Sequence, residues 1–175
     1  MDDRPILIRS MTLADCDRVS EIRIRGWQHA YRGLMPQAYL DALSVARDAE
    51  RRRARFAQAD GSVVDLVAER AGEVVGWAAH GPYRDDEAGT TPDAELYAIY
   101  VDPAQLGSGV GRTLLERAER QREGHPRMLL WVLRENTPAR RFYERAGYRP
   151  DGAEEPFVVD GVPVPEVRYA KELRG

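Results

Sequence analysis

The sequence predicts an α/β fold in which one mixed, twisted sheet carries helices on both of its faces. In some short segments apolar residues alternate or form valine-rich runs, as in strands, and in others they recur every three to four residues, as in amphipathic helices. The order strand, helix, strand over residues 95–133 predicts a parallel crossover. Two further pairs of strand-like segments are joined by short turns, which predicts antiparallel hairpins in the same sheet.

The first half of the chain is predicted to contain a strand, a series of helices and a hairpin. Thr12 can cap the first helix, and Gly33 and Pro36 interrupt the helical sequence. Residues 71–73 form a tight turn between two valine-rich strands. The predicted elements are a strand at 6–8, a helix that continues to Trp27, helical segments that begin at 37 and after Ser44 and reach Ala59, and strands at 62–69 and 74–80.

The second half is predicted to begin with an exposed loop at 81–93, which is rich in glycine, proline and acidic residues. A helix over 109–123 follows, with an apolar stripe on one face. The last helix opens at Asn136 and stops at Gly147, a residue type that favours helix C-termini. The remaining elements are strands at 95–101 and 128–133 and a closing hairpin that turns at 160–161.

Length and composition favour a single domain over residues 1–175. Hydrophobic residues make up 43% of the 175 residues, and the net charge is only −3. Such a balance gives no reason to expect binding to nucleic acid or to an anionic membrane. Cys16 is the only cysteine and the first residues carry no apolar run, so we expect a cytoplasmic protein. The three histidines show no zinc-ligand spacing, and we expect no metal site.

The most informative stretch is a glycine-rich loop between a strand and a helix. It contains Gly107, Gly109 and Gly111, followed by Arg112. Glycines let the backbone approach an anion closely, and free N–H groups at a helix N-terminus favour phosphate. The spacing does not match the dinucleotide fingerprint, and Leu106 and Arg112 stand where a P-loop requires glycine and lysine. On spacing alone, the loop either binds phosphate or merely turns a strand into a helix.

Two motifs make the chain similar to the GCN5-related N-acetyltransferases. The loop resembles the family's acyl-CoA pyrophosphate loop, Gln/Arg-x-x-Gly-x-Gly/Ala, with Gly109 and Gly111 at the glycine positions and Leu106 in place of Gln or Arg. The departure at Leu106 removes one side-chain contact and leaves the backbone cradle. The second motif resembles the family's Asn-x-x-Ala-x-x-Phe-Tyr-x-x-x-Gly-Phe/Tyr helix. Its matching residues are Asn136, Ala139, Phe142, Tyr143, Gly147 and Tyr148.

The resemblance covers residues 62–151 and implies a GNAT-like acyl-CoA N-acyltransferase fold. It also implies an enzyme that moves the acetyl group of acetyl-CoA directly onto a primary amine. By resemblance, Tyr143 donates a proton to the leaving sulfur and Glu95 accepts the proton of the amine. Without the resemblance, Tyr143 is a core aromatic at helical spacing and Glu95 a strand-edge carboxylate, and these alternatives stay open.

A binding site for acetyl-CoA is a further implication of the resemblance. Backbone N–H groups of the strand before the loop would hold the thioester carbonyl, and the loop would hold the pyrophosphate. Asn136 would contact the pantetheine arm, if it is not only a helix cap, and Arg140 a phosphate. The residues expected at the cofactor are Ile99, Tyr100, Val101, Leu106, Gly107, Ser108, Gly109, Val110, Gly111, Arg112, Asn136, Ala139 and Arg140.

The acceptor amine is left open by the sequence, which fits a small molecule, a peptide or a protein. The resemblance places its pocket at Trp27, Tyr31 and the bend over 33–36, with Glu95 nearby, although the aromatics could equally be core. Acidic residues before the motif strand would attract a cation or are simply solvated. These residues are Asp85, Asp86, Glu87 and Asp93. An acyl-CoA-binding sensor with little turnover is the alternative function, and a homodimer stays open because many relatives pair.

Overall fold

The computed structural model describes residues 3–84 and 92–173. The strands in these ranges are β1 (Ile6–Ser10), β2 (Val64–Arg70), β3 (Glu73–Pro82), β4 (Ala94–Val101), β5 (Arg127–Leu133), β6 (Arg149–Val159) and β7 (Val162–Glu172). The helices are α1 (Cys16–Ala30), α2 (Gln37–Asp41), α3 (Val45–Ala57), α4 (Val110–Gln121) and α5 (Thr137–Arg145). None of these helices is long and apolar enough to cross a membrane.

The seven strands form one mixed sheet in the order β1-β2-β3-β4-β5-β7-β6. Strands β4 and β5 are parallel and are joined through α4, and all other neighbours are antiparallel. The predicted crossover and mixed sheet are thus confirmed.

Both predicted hairpins are present, and their turns have the backbone that tight hairpins require. Ala71 and Gly72 connect β2 to β3 with φ angles of 55° and 82°, and Asp160 and Gly161 connect β6 to β7 with φ angles of 47° and 75°. Two consecutive positive φ angles match the twist of the flanking strands, and Asp-Gly is a favoured pair for such a turn. The turns therefore fix the register of the sheet at both ends.

Helices cover both faces of the sheet, as predicted. The face toward α4 and α5 holds the largest apolar cluster, in which Leu114 and Leu115 of α4 pack on Leu130 and Val132 of β5. On the opposite face, α1 packs against the centre of β2 and β3 in a second cluster. Alternate residues of each strand point to opposite faces, so each strand contributes to both layers.

Two element boundaries differ from the sequence prediction. The helix expected after Thr12 begins as a short 3-10 turn, Leu13–Asp15, because the Asp15 carboxylate accepts hydrogen bonds from the N–H and the hydroxyl of Thr12 at 2.7 and 3.1 Å. Strand β3 continues to Pro82, inside the predicted loop, because Gly81 and Pro82 pair with the first residues of β4. This pairing holds the start of β4 in the sheet.

Strands β4 and β5 separate soon after they begin to pair. Their register contains Ala94 opposite Met128 and Glu95 opposite Leu129, and no later pair within the described strands. A β-bulge in β4 accompanies the separation. Ala79 of β3 pairs with Ala98 of β4 and His80 pairs with Leu96, so β4 has one extra residue between these pairs. Bulges bend and twist a strand. The two strands therefore open a cleft across the sheet.

Candidate active site

A cavity of about 550 Å³ occupies the cleft between β4 and β5. Its walls come from β4, from the end of β5, from the glycine loop with the first turn of α4, from one side of α5, and from the end of α1. Of the residues expected at the cofactor, most line it: Ile99, Tyr100, Val101, Leu106, Gly107, Gly109, Val110, Gly111, Arg112, Asn136 and Ala139.

The glycine loop presents open backbone to this cavity. Gly107 and Gly109 have φ angles of 76° and 88°, and a Cβ atom built on either would meet nothing within 4 Å. Gly109 is the N-cap of α4 and offers no side-chain oxygen to the first N–H groups of the helix, which have no intrahelical acceptor. Arg70 of β2 stabilises the loop, since its guanidinium donates hydrogen bonds to the Gln105 side chain at 2.8 Å and to the Ser108 carbonyl at 3.2 Å.

Gly111 lies against α5. A Cβ atom at this position would lie 3.4 Å from the Phe142 ring, an ordinary contact, so the position has room for a small side chain and not for a large one. Arg112 forms an ion pair with Glu116 at 2.8 Å, and Leu106 is half exposed at the rim of the cavity. The loop therefore combines a backbone cradle at Gly109 with a packing contact at Gly111.

Helix α5 places two polar side chains in the cavity wall. The Asn136 side chain caps the helix by accepting the Ala139 N–H at 3.3 Å, which confirms its capping role. Tyr143 is 8% exposed, and its ring packs edge-on against Phe142 at a centroid distance of 5.2 Å. Burial raises the pKa of the Tyr143 hydroxyl well above its ordinary value, so the hydroxyl keeps its proton and remains a hydrogen-bond donor.

A second cavity, of about 450 Å³, lies on the α1 face of the sheet and adjoins the first. The expected acceptor residues Trp27 and Tyr31 line it, as does Met35 from the predicted bend. The residues that line both cavities are Tyr31, Leu96, Tyr97, Tyr100, Trp131, Leu133 and Glu166. These shared residues form a junction where a group in one cavity can reach a group in the other.

The expected base Glu95 lies in the second cavity and is strongly engaged. Its side chain is 5% exposed, and its carboxylate accepts the backbone N–H of Arg84 at 2.9 Å. The Arg84 guanidinium lies 3.4 Å from the other carboxylate oxygen and 3.8 Å above the Tyr97 ring. Burial raises the pKa of Glu95, and the contacts with Arg84 offset part of that rise.

Two further carboxylates, which the sequence did not single out, line the second cavity. Glu155 of β6 and Glu166 of β7 stand opposite each other in the register of the hairpin. Burial, together with the negative charges of Glu155 and Glu95, raises the pKa of Glu166 to about 7. With Glu95, they give the described lining of this cavity three carboxylates and, from Arg84, one cation.

Some expected site residues lie elsewhere. Ser108 faces away from the cavity, where its hydroxyl donates to the Gln105 carbonyl. Arg140 does not line the cavity either, because its guanidinium donates to the Tyr169 hydroxyl at 2.8 Å and to the Arg134 carbonyl at 2.9 Å.

The acidic loop before β4 is only partly described. Asp93 is buried and bonded to Arg127 at 2.7 Å, so it supports the fold instead of attracting a ligand. The other acidic residues of that loop, Asp85, Asp86 and Glu87, lie outside the described residues. Among the described residues, the negative charge at the second cavity comes from the three glutamates.

The chain matches the acetyltransferase (GNAT) family over residues 24–148 and belongs to it. It is 29% identical over 165 residues to the uncharacterized N-acetyltransferase YuaI of Bacillus subtilis, an alignment that covers 93% of this chain and 90% of that protein. At the level of the family, acetyl-CoA-dependent N-acetylation is the activity these relationships support.

Solved structures share the fold. The PaiA N-acetyltransferase of Thermoplasma acidophilum, in complex with coenzyme A, superposes with a TM-score of 0.74 at 20% identity over 96% of this chain and 99% of that one. YncA, a putative acetyltransferase of Salmonella typhimurium with acetyl-CoA, gives 0.68 at 24% identity over 96% and 94%. At these identities the likeness establishes the fold alone.

Proposed function

We propose that this enzyme binds acetyl-CoA in the first cavity and a small cationic primary amine in the second, and transfers the acetyl group directly between them. One observation carries this proposal: the two cavities meet at the separation of β4 and β5 and share seven lining residues. A donor and an acceptor held on either side of this junction can react without a covalent enzyme intermediate. Proximity of this kind supplies a large part of the catalysis in transfer between two bound reactants.

The glycine loop fits the pyrophosphate of the donor. The open space above Gly107 and Gly109 admits a phosphate, and the N–H groups of Val110 and Gly111 point from the start of a 12-residue helix. Because Leu106 contributes no charge, backbone N–H groups would hold the phosphate. Arg112 could add a positive charge by leaving its exposed ion pair with Glu116 and turning toward the phosphate. The CoA-bound neighbours of the same fold support this placement.

Strand β4 and helix α5 would hold the rest of the donor. Beyond Glu95, the edge of β4 that faces β5 is not paired with that strand. Alternate residues of β4 direct their backbone groups to this edge, so those of Ile99 and Val101 would bind a pantetheine arm and the thioester carbonyl, whereas those of Tyr100 face β3. A backbone N–H held in this way stabilises the negative charge that develops on the carbonyl oxygen. Asn136 lies in the wall opposite and would contact the pantetheine amide through its side-chain nitrogen.

Tyr143 would stabilise the departing sulfur. A free thiol has a pKa of about 8.5, well below the raised pKa of the Tyr143 hydroxyl. Complete proton transfer from this tyrosine to a free thiolate is therefore uphill, but a hydrogen bond to the sulfur as the C–S bond breaks is favourable. Tyr143 thus acts by donating a hydrogen bond to the leaving sulfur. Its hydroxyl stays neutral, and so remains a donor, throughout the working pH range.

The second cavity supports a cationic acceptor. Its described lining contains Glu95, Glu155 and Glu166 but only one arginine, which is paired with Glu95. Its other walls are largely aromatic, and the faces of such rings attract cations. Trp27 and Tyr31 form one side, with ring centroids 5.1 Å apart. This combination favours a compact amine that enters protonated and excludes an anionic acceptor.

A cytoplasmic location and action by one domain over residues 1–175 belong to the same proposal. The donor is a cytoplasmic metabolite, and the free thiol of Cys16, the first residue of α1, is buried in the core, as suits a reducing compartment. The proposal includes neither nucleic acid nor membrane as a partner, in keeping with the net charge of −3. Whether two copies pair is decided by sedimentation of the pure protein.

The proposal is tested by following thiol release from acetyl-CoA with a panel of amines. The panel contains 1,4-diaminobutane, spermidine, an aminoglycoside, free amino acids, and peptides with a free N-terminus or a lysine. Amine-dependent release, with the acetylated amine detected by mass spectrometry, is the expected result, and cationic amines should be preferred. Binding of acetyl-CoA without release from any amine would favour the sensor alternative, and absence of binding would contradict both.

A further inference from the structure

We propose that Glu166 of β7, and not Glu95 of β4, removes the proton from the acceptor ammonium. This inference rests on the proposed function, since it concerns the reaction at the junction of the two cavities. It assigns a proton acceptor outside both sequence motifs, on the C-terminal hairpin.

The position of Glu166 is the first argument. Among the described residues, Glu166 is the only carboxylate that lines both cavities, whereas Glu95 and Glu155 line the second cavity alone. An amine that attacks a thioester in the first cavity from the second must pass the junction that Glu166 borders. A base must come within hydrogen-bonding distance of the proton it removes, so position decides before acidity.

Glu166 also stands beside the strand separation. It pairs in register with Leu133 at the end of β5 and with Glu155 on the other side. Alternation along β7 directs Glu166 to the face that bears α1, since its neighbour Val167 belongs to the apolar cluster on the opposite face. The negative charge of Glu166 acts on Tyr31 and Tyr100, which both line the junction.

The carboxylate of Glu166 is available, whereas that of Glu95 is occupied. Within the described part of the chain, no hydrogen bond or ion pair engages the Glu166 side chain. Glu95 accepts from the backbone N–H of Arg84 and faces its guanidinium, and both contacts favour the ionised form of Glu95 over the protonated one. Glu95 is therefore better suited to bind the cationic amine than to accept its proton.

The surrounding charges set the affinity of Glu166 for a proton. Glu155 and Glu95 oppose its ionisation, as does burial, and its pKa rises to about 7. The nearby cations are engaged elsewhere: Arg84 with Glu95, and Arg168, on the same strand, with Asp151 at 2.7 Å. A carboxylate with this pKa is half ionised near neutral pH and accepts a proton more readily than an ordinary glutamate.

The proton balance of the reaction is simple. The Glu166 carboxylate takes one proton from the R-NH3⁺ acceptor, and the neutral amine attacks the acetyl carbonyl carbon. The C–N bond forms, the C–S bond breaks, and the thiolate of CoA takes up the remaining proton that the nitrogen loses. Glu166 then releases its proton to solvent through the second cavity, so one proton leaves for each amide and each CoA thiol formed.

The test compares pH profiles of kcat/KM for the panel amine with the highest turnover, in wild type, E166Q, E95Q and E154Q. Glu154 lies on β6, is exposed and borders neither cavity, so E154Q is the matched control. For wild type, kcat/KM should rise with pH and become constant above pH 7. The kcat/KM of E166Q should show no such break and should be lower than that of wild type at pH 7 by roughly a hundredfold to a thousandfold. The reason is that only about one molecule in a thousand of an amine with a pKa near 10 is neutral at pH 7.

The loss in E166Q should shrink about tenfold for each pH unit toward the pKa of the amine, because solvent then supplies the neutral amine. A merely structural role would give a loss that is independent of pH. E95Q should raise KM and keep a break that moves below pH 7, because loss of the Glu95 charge eases the ionisation of Glu166. An E166Q profile that retains this break, or a break lost in E95Q instead, overturns the assignment while leaving the transferase in place. Absence of turnover with every amine overturns the proposed function itself.

Discussion

The hydroxyl groups of Tyr31 and Tyr100 lie 3.1 Å apart, and this contact joins the end of α1 to β4 at the junction of the two cavities. Burial raises the pKa of both tyrosines. Both hydroxyls therefore stay protonated, and one donates to the other. The contact ties the acceptor side of the molecule to the strand that would bind the thioester.

Removing one hydroxyl of this pair should destabilise the protein slightly. In Y31F the Tyr100 hydroxyl loses its partner, which costs about 1 kcal/mol for a buried hydrogen bond and lowers the melting temperature by roughly 2–4 °C in a chain of this size. Thermal unfolding followed by circular dichroism measures the shift. Y39F is the control, because no hydrogen bond engages the Tyr39 hydroxyl among the described residues. Equal melting temperatures for Y31F and wild type would show that the contact contributes nothing.

The hydroxyl of Tyr143 should matter for turnover and not for binding. Y143F keeps the ring that packs on Phe142 and Tyr148 and loses the donor to the leaving sulfur. We expect turnover to fall by roughly a hundredfold to a thousandfold, as for loss of one hydrogen-bond donor that acts in the transition state, with the Kd for CoA unchanged. Steady-state rates and calorimetry measure the two quantities separately. Unchanged turnover would remove Tyr143 from the mechanism.

The backbone cradle predicts a sharp effect at Gly109. G109D introduces a side chain where φ is 88° and adds a negative charge where the pyrophosphate would lie. We expect acetyl-CoA binding to become undetectable by calorimetry. G124D carries the same change on an exposed turn with no positive φ and open space around it, and it should bind like wild type. Wild-type affinity in G109D would refute the cradle.

Glu166 should make the stability of the protein depend on pH. Its pKa rises from 4.5 to about 7 on folding, so the folded protein resists its ionisation. This unfavourable contribution is absent below pH 4.5, grows between pH 4.5 and 7, and is complete above pH 7. E166Q removes it, so E166Q should melt a few degrees above wild type at pH 8 and at the same temperature near pH 4.5.

Thermal unfolding across this pH range measures the effect without any acceptor. E154Q provides the comparison, since Glu154 is exposed and should give no difference that varies with pH. If E166Q and wild type melt at the same temperature at pH 8, Glu166 ionises freely in the folded protein. Its assignment as the base would then lose its electrostatic support.

The sequence predicts the sheet, the glycine loop and the cap of α5 well because these depend on local signals. Positive φ angles at Gly107 and Gly109, the cap at Asn136 and the turn at Asp160 all follow from the chemistry of single residues. The strand separation is harder to predict, since it depends on where β4 stops pairing with β5.

The acceptor side was predicted only in part, for a physical reason. Trp27 and Tyr31 lie near the chain start, whereas Glu155 and Glu166 lie on the closing hairpin, and only the strand order β5-β7-β6 brings them together. In the sequence, Glu166 stands in an ordinary alternating strand, where a glutamate suggests a solvated face. The engagement of Arg140 by Tyr169 likewise depends on a tertiary contact that spacing does not reveal.

Direct transfer between two bound substrates is the central claim, and initial rates measured while both substrates are varied test it most directly. With the preferred amine, double-reciprocal plots against acetyl-CoA at several amine concentrations should intersect, because both cavities must be filled before the acetyl group moves. Parallel lines, with CoA released before the amine binds, would show a covalent acetyl-enzyme and contradict transfer across the junction of the two cavities.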